Sequence, residues 1–403
     1  MVKQNKYKAM KMPAIISRVR IVINVLLSTL NKKVCSNKTV IIVFQQIFGD
    51  SILIQSSLEA YTKLYPKNEG YNLIFLARPS ILKFMMETMP IPEDITYEEL
   101  DYKKFLSDYK YYRLIINSYK NKAGTIVVPV TSLSAEIFSC SVNAKRKIGL
   151  VRSIDLKKPF LYAYISKIAY NETVRPAKED MMLQRHRELI RYLGLTNYKS
   201  RLPILKEKDR IISGKYAVIC PGSSKAEKCW SIDKYASISN YLIEKFELDI
   251  HLCGSPGEEE YANQLKNKVK HSEKIISHIG KTSFSEWSSI VQHAHIVIGN
   301  DSATVHMSVA ARVPSICIAG VYDKNLFFPY QVDILEDGDL LPQTIIKDQS
   351  CRWCRTRGYN AGYGNKECAN RIKTNKEALC ISDIEISDVI EQINKLSHNF
   401  FQE

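Results

Sequence analysis

Between residues 295 and 319 the apolar and polar positions fall into blocks that predict a strand, a turn, a helix and a second strand. His295 to Ile298 is a short apolar run with the β-branched content of a buried strand. Gly299, Asn300, Asp301 and Ser302 break it, supplying turn formers and a capping side chain. Ala303 to Arg312 reads as a helix, with Val305, Ser308, Val309 and Arg312 at helical spacing, and Pro314 stops it. Ser315 to Ala319 is a second apolar run, closed by Gly320. The unit is βαβ, and its polar turn lies at the carboxyl end of a strand. Ligands of open α/β sheets bind there, and a helix N-terminus favours phosphate through free N–H groups and its dipole. Asp301 and His306 add groups able to hold sugar hydroxyls or a diphosphate. A helix cap and a satisfied core histidine would account for the same two residues without any ligand.

The same alternation runs through most of the chain. Pro13 to Leu30 predicts a helix with Ile15, Ile16, Val19, Val22, Ile23, Leu26, Leu27 and Leu30 on its apolar side. Thr39 to Phe44 predicts the first buried strand, and Ser51 to Tyr65 a helix stopped by Pro66. Asn72 to Ala77, Arg113 to Ile116 and Thr125 to Val130 read as further strands. After a polar, charged stretch from Lys199 to Gly214 a second alternation begins. Tyr216 to Cys220 and Asp249 to Cys253 are its strands, and Ile232 to Phe246 and Glu258 to Val269 its helices. Ser283-Phe-Ser-Glu286 is a capping box that starts another helix. Phe327, Phe328, Pro329 and Tyr330 form an aromatic patch, and Ile384 to Leu396 is a closing amphipathic helix. Strands alternating with helices predict parallel sheets. The expected division is a basic amphipathic extension (1–37), a Rossmann-like domain (38–200), a linker (201–214), a second Rossmann-like domain (215–345) and a cysteine-containing segment with the closing helix (346–403).

Composition narrows the partners. The 403 residues carry 57 Lys plus Arg against 42 Asp plus Glu, a formal net charge of +15. That excess suits anionic partners such as phosphorylated small molecules or acidic lipid. Nucleic acid fits poorly, because the basic residues are dispersed and no nucleic-acid motif is present. The helix at 13–30 is short for a membrane span and holds two arginines, so it is expected to pack on the protein or to lie on an anionic membrane face. No signal peptide is expected, since the apolar core is interrupted and no cleavage site follows cleanly. Cys35, Cys140, Cys220, Cys229, Cys253 and Cys317 stand singly, the pattern of reduced thiols in a cytoplasmic protein.

Four motifs stand in one order: Gly49-Asp50-Ser-Ile-Leu-Ile; Pro221-Gly222-Ser-Ser-Lys-Ala-Glu-Lys228-Cys-Trp230; Gly254-Ser-Pro-Gly-Glu258; and Gly299-Asn-Asp301-Ser-Ala-Thr-Val-His306. Together they resemble glycosyltransferase family 9, the bacterial heptosyltransferases of the lipopolysaccharide inner core. Ala144-Lys-Arg-Lys-Ile-Gly149 and the stretch His186 to Leu195 are weaker matches. The resemblance implies an α/β fold of GT-B architecture, two Rossmann-like doubly wound domains facing across a cleft. It also implies an inverting, metal-independent transferase. Its donor would be a nucleotide-diphosphate sugar, ADP-heptose above others, and its acceptor a phosphorylated lipopolysaccharide or other surface glycan. The protein is expected in the cytoplasm, and the basic amphipathic helix at 13–30 leaves open a peripheral contact with the anionic inner face of the plasma membrane.

By that resemblance Asp50 is the base that deprotonates the acceptor hydroxyl, and Lys228 binds the departing diphosphate. Glu258 would accept hydrogen bonds from ribose hydroxyls, and Asp301 would hold the donor sugar or its diphosphate edge. Ser223, Ser224 and the N–H groups of Ser302, Ala303 and Thr304 would meet phosphate, with His306 at the same site. Without a ligand, Asp50 reads as the N-cap of the helix from Ser51, Lys228 as a surface lysine and Glu258 as an acid in a first helical turn. The chain departs from the family at Ala303, where glycine is usual, and at Cys229, where arginine is common. Gln45, Gln46 and Phe48 stand where a basic residue often precedes the Gly-Asp pair.

Cys351-x2-Cys354, Cys368 and Cys380 have the spacing of a four-thiolate structural site for zinc or iron, or of reduced thiols packing a loop. Two other readings use the same fold: a GT-B-type sugar-nucleotide epimerase, and a catalytically silent sugar-nucleotide-binding protein.

Overall fold

A computed structural model of the chain describes residues 12–30, 37–151, 160–177, 179–321, 324–349, 366–374 and 376–400. The first sheet contains β1 (Thr39–Phe44), β2 (Asn72–Ala77), β3 (Ile95–Glu99), β4 (Thr125–Val128), β5 (Arg146–Leu150) and β6 (Glu172–Val174), in the order β3-β2-β1-β4-β5-β6. The second contains β7 (Tyr216–Cys220), β8 (Asp249–Leu252), β9 (Ile275–Ser277), β10 (Ile296–Asn300), β11 (Ser315–Ile318) and β12 (Gln343–Ile345), in the order β12-β11-β10-β7-β8-β9. All the strand pairings are parallel, and the two sheets repeat one winding order. In both, the order reverses beside the first strand, between β1 and β4 and between β7 and β10. Those switch points open a crevice beyond the carboxyl ends of the strands. The fold is α/β with GT-B architecture.

Burial explains the strands. Val40 to Phe44 are at most 1% exposed, so β1 is covered on both faces and reads as a continuous apolar run. One core cluster continues from Phe44, Ile52 and Phe84 in the first half to Val218, Ile290 and Met307 in the second. Phe48 and Phe84 meet Phe284 at ring-centroid distances of 5.3 Å each, and Phe84 meets Trp287 at 5.7 Å. This aromatic contact joins the helix Pro79–Thr88 to the helix Phe284–Gln292 across the crevice. Further along, Arg187 and Asp333 form an ion pair at 2.6 Å, and the Ile204 amide donates to Gln55 Oε1 at 3.1 Å.

Three expectations about local structure fail. Arg113 to Ile116 is helix, inside Tyr109–Tyr119, where Asp108 caps the first turn and Tyr112, Ile116 and Tyr119 are buried. A four-residue apolar run cannot by itself distinguish the two structures, and spacing of four and three residues decides for helix. The helix expected over Ser51 to Tyr65 is two helices, Phe48–Gln55 and Leu58–Leu64, broken at Ser56 and Ser57. It also starts earlier than expected: Ile47 is the N-cap residue, so Asp50 is not the cap but lies inside the first turn. Finally, β3, β5, β6, β9 and β12 are not anticipated: β3 ends on Glu98 and Glu99, β5 and β6 begin with charged residues, and β9 and β12 are three residues long, all of which dilute the apolar signal.

Candidate active site

The four motifs converge on the crevice. The Phe48–Gln55 helix of the first half packs against the Ala303–Ala310 helix of the second. The contact is close because Gly49 has no side chain: a Cβ there would lie 3.0 Å from His306 Cδ2 and 3.9 Å from the Ala303 Cα. Asp50 therefore sits one residue from the seam between the halves, with 6% of its surface exposed. A carboxylate in the first turn of a helix is favoured by the helix dipole.

Arg78, just past the end of β2, lies beside Asp50. Burial lowers the affinity of its guanidinium for a proton, while the charges of Tyr102 and Asp50 raise it. The guanidinium stacks over the Tyr102 ring at 3.9 Å and donates through one Nη to the Gln45 carbonyl at 2.9 Å. Its Nε is buried without a hydrogen-bond partner. Gln45, Gln46 and Phe48 leave the strand before Asp50 without a cation, and the adjacent strand end supplies one. Nothing local in the sequence identifies Arg78; the juxtaposition exists only once β1 and β2 pair.

On the other wall, Lys228 ends a short 3-10 turn, Ala226–Lys228, and its Nζ lies 3.2 Å from Asp301 Oδ2. The two side chains are 13% and 10% exposed, so the pair is desolvated but reachable from the crevice. Lys228 is thus not a surface lysine. Asp301 follows β10 directly, and Ser302 is the N-cap residue of the Ala303–Ala310 helix. The turn is expected to supply a capping side chain, but the N-cap residue Ser302 makes no side-chain cap bond; its Oγ is buried and has no hydrogen-bond partner. The first amides of a helix have no intrahelical acceptor, so this end presents N–H groups beside Lys228. Ala303 is half-buried in that first turn, and Thr304 turns its hydroxyl inward to the Cys220 thiol. Thr304 therefore has its backbone N–H, rather than its hydroxyl, to offer a ligand.

Glu258 folds back over the neighbouring motif. Its carboxylate accepts from the Ser255 hydroxyl at 2.8 Å and from the Ser255 amide at 3.2 Å. A Cβ on Gly254 would lie 2.5 Å from Glu258 Oε2, and one on Gly222 would overlap the same carboxylate. The two glycines thus leave the room in which the Glu258 carboxylate lies, and a Cβ at either would displace it. Ser223 is partly buried with its amide on the Cys229 sulfur, and Ser224 is exposed at the rim. Cys229 is buried beneath the turn, so the position where family members carry a cation is here a packing residue.

Asn300 holds these parts together, and the sequence showed it only as a turn former. Its side chain is fully buried and spends each polar group: Nδ2 donates to the carbonyls of Pro221 (2.8 Å) and Gly222 (3.2 Å), and Oδ1 accepts from the Trp230 amide (3.0 Å) and the Tyr235 hydroxyl (3.1 Å). It fixes the Pro221–Trp230 loop to the end of β10. Asn300→Ala would strand all four partners in a dry interior. The expected cost is ~2–4 kcal/mol of stability, read by urea denaturation. A loss below about 0.5 kcal/mol would remove Asn300 from this role.

His306 is 2% exposed, its Nδ1 2.7 Å from the Tyr330 hydroxyl and its ring stacked on Phe328 at 4.6 Å. Burial, with Lys228 nearby, lowers its pKa to about 3. The ring is neutral at neutral pH and contributes shape and hydrogen bonding at the seam, not positive charge. Cys368 and Cys380 are buried in the core of the second half, whereas Cys351 and Cys354 lie outside the described residues. Among the described residues no cluster of three or more His, Cys, Asp or Glu assembles a metal site, and no helix is long and apolar enough to cross a membrane.

The family model for glycosyltransferase family 9 (heptosyltransferase) matches residues 126–336, more than half of the chain. The chain belongs to glycosyltransferase family 9. It is a glycosyltransferase. Among curated family proteins, it is 22% identical over 291 residues to lipopolysaccharide core heptosyltransferase OpsX of Haemophilus influenzae, covering 70% of this chain and 79% of that protein. It is 26% identical over 125 residues to lipopolysaccharide heptosyltransferase 3 of Escherichia coli K12, an alignment that spans 31% of this chain and 36% of that protein. Two solved structures share the fold. The ADP-heptose lipopolysaccharide heptosyltransferase II of E. coli superposes with a TM-score of 0.63 at 14% identity, over 89% of this chain and 98% of that one. The dodecameric, iron-containing heptosyltransferase TibC, in complex with ADP-D-β-D-heptose, gives 0.54 at 14% identity over 91% of this chain and 77% of that one.

Proposed function

We propose that this family member transfers heptose from ADP-heptose to a hydroxyl of a phosphorylated lipopolysaccharide or related surface-glycan acceptor, with inversion at the anomeric carbon. One observation supports the reading: Gly49, next to Asp50, abuts His306, and the charge of Lys228, paired with Asp301, acts on that same ring, so groups of both halves meet at the Gly49–His306 seam. A transfer of this kind needs a base on the acceptor side and positive charge on the leaving-group side, and the two walls supply one each.

In the proposed complex the donor diphosphate lies against the N-terminus of the Ala303–Ala310 helix. Lys228, the unpaired Ser302 hydroxyl and the free amides of Ser302, Ala303 and Thr304 meet its oxygens, with Ser223 and Ser224 at the opposite edge. Asp301 keeps the Lys228 ammonium in place until phosphate shares it. Glu258 exchanges its bonds to Ser255 for the ribose hydroxyls. Asp50 accepts the acceptor proton as the glycosyl oxygen bond forms and the ADP oxygen departs. Arg78, beside Asp50, offers a half-buried cation to an acidic group of the acceptor. Nothing in this sequence of steps requires a metal or cofactor.

The four C-terminal cysteines fit a structural zinc or iron, since thiolates favour both ions. Cys368 and Cys380 are buried together in one apolar core. Their segment also braces the donor loop: the Ala378 amide donates to the Glu227 carbonyl at 3.1 Å, and Trp230 Nε1 to the Ile384 carbonyl at 2.9 Å. A metal there would act on catalysis only through the placing of Lys228.

Acceptor dependence tests the reading. Incubated with ADP-heptose, the enzyme is expected to release ADP only when a heptose-accepting core glycan is present, and the product linkage is inverted. ADP release or sugar isomerisation without acceptor would point to an epimerase, and binding without turnover would point to a silent binding protein.

A further inference from the structure

The N-terminal helix Met12–Leu30 has two apolar faces, and the other described residues cover one of them. Ile21 and Val25 are buried on the outer layer of the first sheet, at 2% and 0% exposure. Ser28 donates to the Cys140 carbonyl at 3.0 Å, and Asn24 donates to the Tyr109 hydroxyl at 2.8 Å. Ile16, Val19, Ile23 and Leu27 follow the helical repeat on the opposite side and are 48%, 53%, 48% and 58% exposed. They form one outward stripe ~16 Å long at the helical rise. A helix that packs on a water-soluble body has use for one apolar stripe; a second one marks a surface that meets something apolar.

The charge around the stripe identifies what that is. Lys3, Lys6, Lys8, Lys11, Arg18 and Arg20 precede the first acidic residue of the chain, Asp50. Apolar residues flanked by cations and free of acids suit the headgroup region of an anionic bilayer. They do not suit a second copy of the same helix, which would bring one cationic surface against another. The position is also telling. Arg20 lies over the Tyr109 ring at 5.9 Å, and the helix packs against the helix Tyr102–Ser107. Tyr102, at the start of that helix, stacks on Arg78 beside Asp50. One short helix thus separates the outward stripe from the acceptor wall of the crevice.

We propose that the Met12–Leu30 helix docks the enzyme on an anionic membrane, its Ile16–Leu27 stripe set into the headgroup layer, so that the Asp50 side of the crevice is presented to a lipid-anchored acceptor. The purpose assigned to this docking rests on the glycolipid reading of the acceptor, whereas the binding itself does not. Flotation of the full-length protein with phosphatidylglycerol vesicles is expected to recover it with the lipid, and with pure phosphatidylcholine vesicles at least ~10-fold less. Ile23→Glu, and separately Val19→Ser with Leu27→Ser, are expected to weaken partitioning onto phosphatidylglycerol by ~10-fold or more. Melting temperature and transfer to a water-soluble, delipidated acceptor should stay as in the wild type. The proposal is overturned if the variants float as the wild type does, or if the wild type binds neither vesicle. It is equally overturned if Ile23→Glu dissolves an oligomer while vesicle binding is unchanged, which would make the stripe a contact between copies. Vesicle binding by a protein that transfers no sugar at all would overturn the functional reading and leave the docking helix standing.

Discussion

Asp50→Asn is expected to lower kcat by about 10²–10⁴-fold and to leave donor affinity within about 3-fold of wild type. The substitution keeps the shape and removes the basic oxygen. Asparagine retains a carbonyl that can accept one hydrogen bond, so the first turn of the Phe48–Gln55 helix should persist, and Ile47, not this residue, occupies the cap position. Loss of stability is therefore expected to be small, and the loss of rate is chemical. The measurement is a steady-state assay at saturating ADP-heptose and acceptor, together with a donor titration. A kcat within 10-fold of wild type would show that another group takes the proton.

Lys228→Ala is expected to act on the other wall. Removing one preorganised charge from a developing oxyanion typically costs about 10²–10³-fold in rate. Ground-state donor affinity should fall as well, because diphosphate and ammonium already attract before the bond breaks. The Asp301 carboxylate complicates the measurement. With 10% side-chain exposure, it would lose its Lys228 partner while staying desolvated, at a cost of about 1.5–3 kcal/mol in stability. Lys228→Ala combined with Asp301→Asn separates the two effects: stability should recover substantially, and the rate should not. If the double variant recovers both, the lysine serves the fold and not the leaving group.

The legible part of the molecule was its repetition. Alternating apolar runs and amphipathic stretches predicted two parallel sheets, because strands covered on both faces must be continuously apolar, as Val40 to Phe44 are. The capping box at Ser283 and Glu286 is present with both reciprocal bonds, since its geometry is local and needs no distant partner. The motifs marked where the crevice would be because each follows a strand end. What escaped was set by tertiary contact. Arg113 to Ile116 has the composition of a strand and folds as helix because Asp108 starts one. Arg78 reaches Asp50 only through β-pairing, and Asn300 becomes a four-bond clasp only when the Pro221 loop closes over it. For His306, a candidate donor-site residue, the sequence does not show that Gly49 and Phe328 enclose its ring at the seam.

The Lys228–Asp301 pair, the Ser302 hydroxyl and the Asn300-bound loop make one prediction that needs no acceptor. Thermal denaturation of the wild type, Asp50→Asn and Lys228→Ala with Asp301→Asn, each with and without saturating ADP, reports directly on where the diphosphate binds, because a ligand held only by the folded state raises the midpoint. ADP should raise the midpoint of the wild type and of Asp50→Asn alike, and should raise that of the Lys228 double variant little or not at all. An ADP shift that survives intact in the Lys228 double variant, or that vanishes in Asp50→Asn, would contradict a donor diphosphate seated between the Lys228 turn and the Ala303–Ala310 helix.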